Sequence, residues 1–133
     1  DPRVAADHMR VLIIDDEANI RRITAVALEG MGHQTAVAED GNEALRQLAA
    51  AEFDAAFLDL RLHDENGMEL LPKLLESRPG LEVIIFSAGA SAESAKAAQQ
   101  AGAAGFMAKP FTVEEIRQAL GNLPGSGPWP NAA

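Results

Sequence analysis

Four of the five short apolar runs in this sequence end on residues that can do chemistry. Asp15, Asp16 and Glu17 follow Val11–Ile14, Asp59 follows Ala55–Leu58, Ser87 follows Val83–Phe86, and Lys109 with Pro110 follows Gly105–Ala108. Carboxylates gathered in one place repel, and each resists ionisation beside the others. A hard divalent cation relieves that repulsion. Mg²⁺ suits such a place, because it takes one or two carboxylates and keeps waters that phosphate oxygens can replace. One of the carboxylates can then act as a nucleophile toward phosphorus. The cation, an ammonium and a hydroxyl would stabilise charge on the phosphoryl oxygens during transfer. Taken singly, each residue has an ordinary explanation. An Asp pair after a strand caps a helix, a lone Asp or Ser makes a turn, and a Lys is a solvated surface charge. Their recurrence at the ends of successive runs favours a shared site.

The elements that would position them follow from periodicity. The runs Val11–Ile14, Thr35–Ala38, Ala55–Leu58, Val83–Phe86 and Gly105–Ala108 are apolar enough for strands buried on both faces of a parallel sheet. The second is the weakest and reads as an edge strand. Segments of helical period lie between them. Ile20, Ile23, Val26 and Ala27 form one stripe of the first helix, which Gly30 and Gly32 stop. Asp40 with Glu43 is a capping box for the second helix, which carries Leu45 and Leu48. The third covers about Met68–Ser77, where Pro72 predicts a kink or a late start. Ser91 caps an Ala-rich fourth helix ending near Gly102. Thr112 with Glu115 caps the fifth, which carries Val113, Ile116 and Leu120. Five strand–helix units in succession predict a doubly wound α/β fold, with helices on both faces. Sites in such folds lie at the carboxyl ends of the strands, where the acids, Ser87 and Lys109 fall.

Composition narrows the class. With 133 residues and a formal net charge of −9, the chain suits one domain and lacks the basic patches that nucleic-acid contact needs. It has no cysteine, hence neither disulfides nor thiolate metal sites. No apolar run reaches membrane-spanning length, and no stretch has the pattern of a secretion signal. A cytoplasmic location agrees with all of this. Residues 1–8 read as a remnant preceding a native start at Met9, residues 9–122 as the domain, and the Pro- and Gly-rich residues 123–133 as a linker or tail.

The segments VLIIDDE (11–17), FLDLRL (57–62), IIFSA (84–88) and GFMAKPF (105–111), in that order, resemble the response-regulator receiver family of two-component signalling. The resemblance covers about residues 10–121. It implies a flavodoxin-like five-stranded sheet of order 2-1-3-4-5, a CheY-like fold. It implies that Asp59 accepts a phosphoryl group from a sensor histidine kinase or phosphotransfer protein. It implies that Asp16 binds Mg²⁺ directly, that Asp15 helps through water, and that Asp59 and the carbonyl of Arg61 complete the metal site. By the same resemblance Ser87 and Lys109 bind the phosphoryl oxygens, Lys109–Pro110 is a cis peptide, and Ser87 with Phe106 forms a switch. That switch acts on the face made by the fourth helix, fifth strand and fifth helix, with a homodimer as one consequence of phosphorylation. Such a domain catalyses only its own phosphorylation and dephosphorylation. Phe106 lacks a hydroxyl, and the stretch AAGF (103–106) has no acid beside the aromatic, which weakens the inference to the dimer of winged-helix regulators.

Other readings fare less well. An FMN carrier needs a Gly-, Ser- or Thr-rich phosphate loop after the first strand, and this chain has DDEAN there. A phosphohydrolase with an aspartyl intermediate usually has a second Asp two residues after the first, where this chain has Arg61. A receiver serving as a stand-alone phosphorelay or interaction module, without transcriptional output, stays open.

Overall fold

The computed structural model describes residues 8–89 and 91–123. Five parallel strands form one sheet: β1 (Arg10–Ile14), β2 (Gln34–Ala38), β3 (Ala55–Asp59), β4 (Glu82–Ser87) and β5 (Gly105–Ala108), in the order β2-β1-β3-β4-β5. Five helices connect or follow them: α1 (Ala18–Gly30), α2 (Gly41–Ala50), α3 (Gly67–Ser77), α4 (Ala92–Gln100) and α5 (Val113–Gly121). This is the doubly wound α/β class with the strand order that the resemblance implies. The weak second run is indeed the edge. A short antiparallel ribbon, Arg61–Leu62 against Glu65–Asn66, joins β3 to α3. Among the described residues, no helix is long and apolar enough to cross a membrane.

The apolar runs bury on both sides, as a central parallel sheet requires. One face carries Leu12, Ile14, Leu58, Val83 and Ile85 and is covered by Leu48 of α2, Leu70, Leu71 and Leu74 of α3, and Ala95 and Ala98 of α4. The other carries Val11, Ile13, Phe57, Ile84 and Phe86 and is covered by Leu28 of α1 and Ile116 and Leu120 of α5. Successive side chains alternate faces along a strand, so β1, β3, β4 and β5 contribute to both cores, whereas the edge strand β2 gives only Ala38, with Ala36 beside it, to the first. Met9 and Leu123 are buried in the second cluster, so packing reaches Leu123 at the end of α5. The remainder of the predicted tail, and residues 1–7 of the predicted remnant, lie outside the described residues.

Helix starts follow the predicted caps. The Asp40 side chain accepts from Glu43 N at 2.8 Å. Ser91 and Thr112 each form a full capping box, Ser91 with Ser94 and Thr112 with Glu115. Two expectations change. In α1 the buried residues are Thr24, Ala27 and Leu28, whereas Ile23 is 56% and Val26 64% exposed. The inward face keeps Ala27 and the partly buried Ile20 of the predicted stripe but takes Thr24 and Leu28 in place of Ile23 and Val26, with Leu28 packed in the second core cluster. In α3, Pro72 neither delays nor ends the helix, which begins at Gly67 with Asn66 as its cap. The missing N–H costs one hydrogen bond, and burial of Leu70, Leu71 and Leu74 on the same helix outweighs it, at roughly 1.5–3 kcal/mol for each leucine.

Candidate functional site

Register brings the predicted residues to one edge. Ile14 pairs with Leu58, so Asp15, the next residue along, stands level with Asp59. Asp59 pairs with Phe86, which puts Ser87 one step further out. Ser87 in turn pairs with Ala108, and Lys109 follows it. The residues climb like a staircase along the carboxyl edge of β1, β3, β4 and β5.

Asp15 is fully buried and Asp59 only 4% exposed. Both are tied down by local backbone donors. Asp15 Oδ1 accepts from Glu17 N at 2.8 Å, and Asp59 Oδ1 accepts from Arg61 N at 3.1 Å. These are Asx-type turns, in which the carboxylate organises the residues two beyond it. The other oxygen of each faces Lys109. Lys109 Nζ lies 2.6 Å from Asp15 Oδ2 and 3.2 Å from Asp59 Oδ2. It also stands 4.9 Å above the Phe86 ring, which adds cation–π attraction. Lys109 N donates to Ser87 O at 2.9 Å, and the Lys109–Pro110 peptide is cis.

Burial pushes the Asp15 carboxyl up. The hydrogen bonds from Lys109 and Glu17 N oppose that rise, and the negative charge of Asp59 adds to it. Burial alone would lower Lys109, but the hydrogen bond and charge of Asp15, and then those of Asp59, outweigh it and hold the ammonium above its ordinary range. Lys109 is therefore a fixed positive charge.

Oxygens of Asp15, Asp16 and Glu17 lie within 4.8 Å of one another. One ammonium against these acids and Asp59 leaves surplus negative charge. An all-oxygen donor set with excess charge fits a hard divalent cation. Asp16 is more open than Asp15, and its Oδ2 accepts from His63 N at 2.9 Å. Arg61, a predicted metal residue, lies in the short ribbon opposite Asn66 with its side chain exposed.

Ser87 is 5% exposed at the end of β4 and Phe106 is 5% exposed on β5. The Phe106 ring belongs to the core cluster that includes Ala95, Ala98 and Ala103. The Phe106 ring is therefore packed inward in this structure. The sequence reading misses two things. It pairs Lys109 with an incoming phosphoryl group only, whereas Asp15, 94 residues away, is its nearer partner. It also assigns nothing to His63, whose position four residues after Asp59 carries no signal of nearness to Asp16.

Comparison with known proteins bears on the same elements. The family model described as response regulator receiver domain matches residues 11–121. The alginate biosynthesis transcriptional regulatory protein AlgB of Pseudomonas aeruginosa is 36% identical over 110 residues, covering 83% of this chain and 24% of that protein. Protein-glutamate methylesterase/protein-glutamine glutaminase 2 of Caulobacter vibrioides is 42% identical over 105 residues, covering 77% of this chain and 30% of that protein. The chain thus spans about a quarter of the length of the curated relatives it matches first. A crystal structure of a response regulator from Burkholderia pseudomallei, with a phosphorylated aspartic acid, a calcium ion and citrate, superposes with a TM-score of 0.78 at 32% identity, covering 84% of this chain and 65% of that one. A family match over nearly the whole described chain, on a sheet whose carboxyl edge gathers Asp15, Asp16, Asp59, Ser87 and Lys109, identifies this chain as a member of the response regulator receiver domain family.

Proposed function

We propose that Asp59 accepts a phosphoryl group from the phosphohistidine of a sensor histidine kinase or phosphotransfer protein. The observation that carries this reading is the Lys109 ammonium set between the buried carboxylates of Asp15 and Asp59. In the transfer an Asp59 oxygen forms a bond to phosphorus. The bond from phosphorus to the donor's ring nitrogen breaks, and the nitrogen leaves with the electron pair.

Asp15, Asp16, Asp59 and the Arg61 carbonyl would hold Mg²⁺, which when bound offsets the combined charge of phosphoryl group and carboxylates. The chain's own groups do the rest. Arg61 N holds Asp59 Oδ1, which orients the nucleophile. Lys109, already beside Asp59 Oδ2, meets the arriving charge without reorganisation. The Ser87 hydroxyl, at the next step of the edge, donates to a phosphoryl oxygen. Its movement and that of Phe106 then alter the face of α4, β5 and α5, which controls an output domain or partner, or a homodimer.

Incubation with acetyl phosphate and Mg²⁺ tests the reading. A single phosphoryl adduct should form and map to Asp59, and the Asp59→Asn protein should stay unmodified. Equal modification of both proteins refutes it. Calorimetric titration tests the metal assignment: Asp16→Ala should weaken Mg²⁺ binding more than Asp15→Ala. Unchanged affinity in both variants refutes the site.

A further inference from the structure

Every polar group of Asp15 is held, each from a different part of the fold. Its N–H donates to Ala38 O of β2 at 3.1 Å. Its Oδ1 accepts from Glu17 N at 2.8 Å, and its Oδ2 faces Lys109 Nζ at 2.6 Å. Its carbonyl oxygen accepts from Arg21 Nη1 at 2.7 Å. Arg21 stands in the first turn of α1, and its half-buried side chain reaches back over that turn to the preceding loop. The same residue's N–H donates to Glu17 O at 3.1 Å. Arg21 thus grips both ends of the three-acid segment, Asp15 by its side chain and Glu17 by its backbone. The Asp15 carbonyl shares a rigid peptide plane with the Asp16 N–H. Holding that oxygen fixes the plane, and with it the direction in which Asp16 leaves the strand. Among the described residues Arg21 has no carboxylate partner, so it acts on the acids through their backbone and not as an ion pair.

We infer that Arg21 is a positioning residue of the acidic site: by holding the Asp15 carbonyl it sets the Asp15–Asp16 peptide, and so the aim of the Asp16 carboxylate at a divalent cation. The inference rests on the metal reading above and adds to it a residue that touches neither the cation nor the phosphoryl group. Outer partners that orient metal ligands carry about 10–100-fold in affinity. The charge of Arg21 works the other way. A cation beside the site repels Mg²⁺, so its removal strengthens metal binding by charge alone. Hold and charge therefore predict opposite signs for one substitution. A role confined to fastening α1 predicts a third result, a loss of stability with no change in metal affinity.

The test compares the full chain with Arg21→Met and Arg21→Gln, two unbranched helix formers that remove the guanidinium and leave the helix its propensity. Calorimetric titrations with magnesium chloride are run on all three proteins, and urea unfolding is measured on each without metal. The titrations are made in about 1 M KCl, where the Debye length is about 3 Å and the repulsion between Arg21 and the cation is damped. Mg²⁺ affinity should fall about 10-fold or more in both variants. Unchanged or tighter Mg²⁺ binding in either variant overturns the inference and leaves the metal reading standing. Lower stability in urea with unchanged Mg²⁺ affinity overturns it as well, because Arg21 would then serve only the fold. Failure of wild type to bind Mg²⁺ overturns the inference and the metal reading together.

Discussion

Lys109 is the residue on which the resting site depends. Its ammonium faces two carboxylates whose side chains are 0% and 6% exposed, and without it both acids would be buried with no cation. Breaking a buried pair by removing one partner costs about 3–5 kcal/mol. Lys109→Met should therefore lower metal-free stability by about that amount in urea unfolding. Added Mg²⁺ should restore part of the loss, because a ligand bound only by the folded state stabilises it. A variant as stable as wild type without metal would show that the pair contributes little. Glu82, at the start of β4, offers a pH test. Burial raises its carboxyl above the ordinary value of 4.5, so the folded state holds this proton more tightly than the unfolded one. Its contribution to stability is then present below 4.5 and lost as pH rises through the raised value. Glu82→Gln should stabilise the protein at neutral pH, and the gain should vanish in melts taken below that range. A gain equal at all pH values would point to packing instead.

The elements hold the site through close backbone approaches. Gly67 begins α3, and its N–H donates to Leu60 O at 2.8 Å. A Cβ there would lie 2.5 Å from Asp59 O and 2.6 Å from Leu60 Cα. Both neighbours are backbone, so neither yields cheaply. Gly67→Ala should cost about 1–3 kcal/mol, as overpacking does, and should slow acetyl phosphate labelling of Asp59, whose own carbonyl is displaced. Normal labelling kinetics would show that the loop absorbs the change elsewhere. In α1 the Thr24 hydroxyl is buried with no hydrogen-bond partner among the described residues. An unsatisfied buried polar group costs about 1–3 kcal/mol. Thr24→Val, nearly the same shape, should raise stability by about 1 kcal/mol in denaturant unfolding, and a loss would mean that the hydroxyl has a partner after all.

Across the whole molecule, Ser87 and Phe106 lie on neighbouring strands. Ser87 pairs with Ala108 and Ile85 with Phe106, so the two residues are close in the same ladder. A phosphoryl group on Asp59 adds charge and acceptor oxygens, and Ser87 is the donor nearest in register. In Ser87→Ala, Asp59 should still be phosphorylated, but the NMR changes around Phe106 expected on phosphorylation of wild type should be lost. Identical changes in both proteins would route the coupling elsewhere. A partner that prefers the altered face must favour the phosphorylated state by the same factor that phosphorylation strengthens its binding.

Local pattern was enough for much of this protein. Apolar runs marked the five strands, the serine and threonine caps marked helix starts, and the order of acids, serine and lysine pointed to the site and the family. These signals are short-range: periodicity and capping act within a few residues. The inward face of α1 was legible only in part: Ile20 and Ala27 lie on it, but Ile23 and Val26 do not, because neighbouring stripes of like spacing differ only in which one meets the sheet. The helix across Pro72 was legible as a span of about Met68–Ser77, but not its start at Gly67 under the Asn66 cap, since Pro72 locally argued for a late start. The contacts of Lys109 with Asp15, 94 residues apart, and of His63 with Asp16, 47 apart, were decided by tertiary structure alone. Such distances are closed by strand register and crossover connections, and nothing in the spacing of the residues along the chain encodes them.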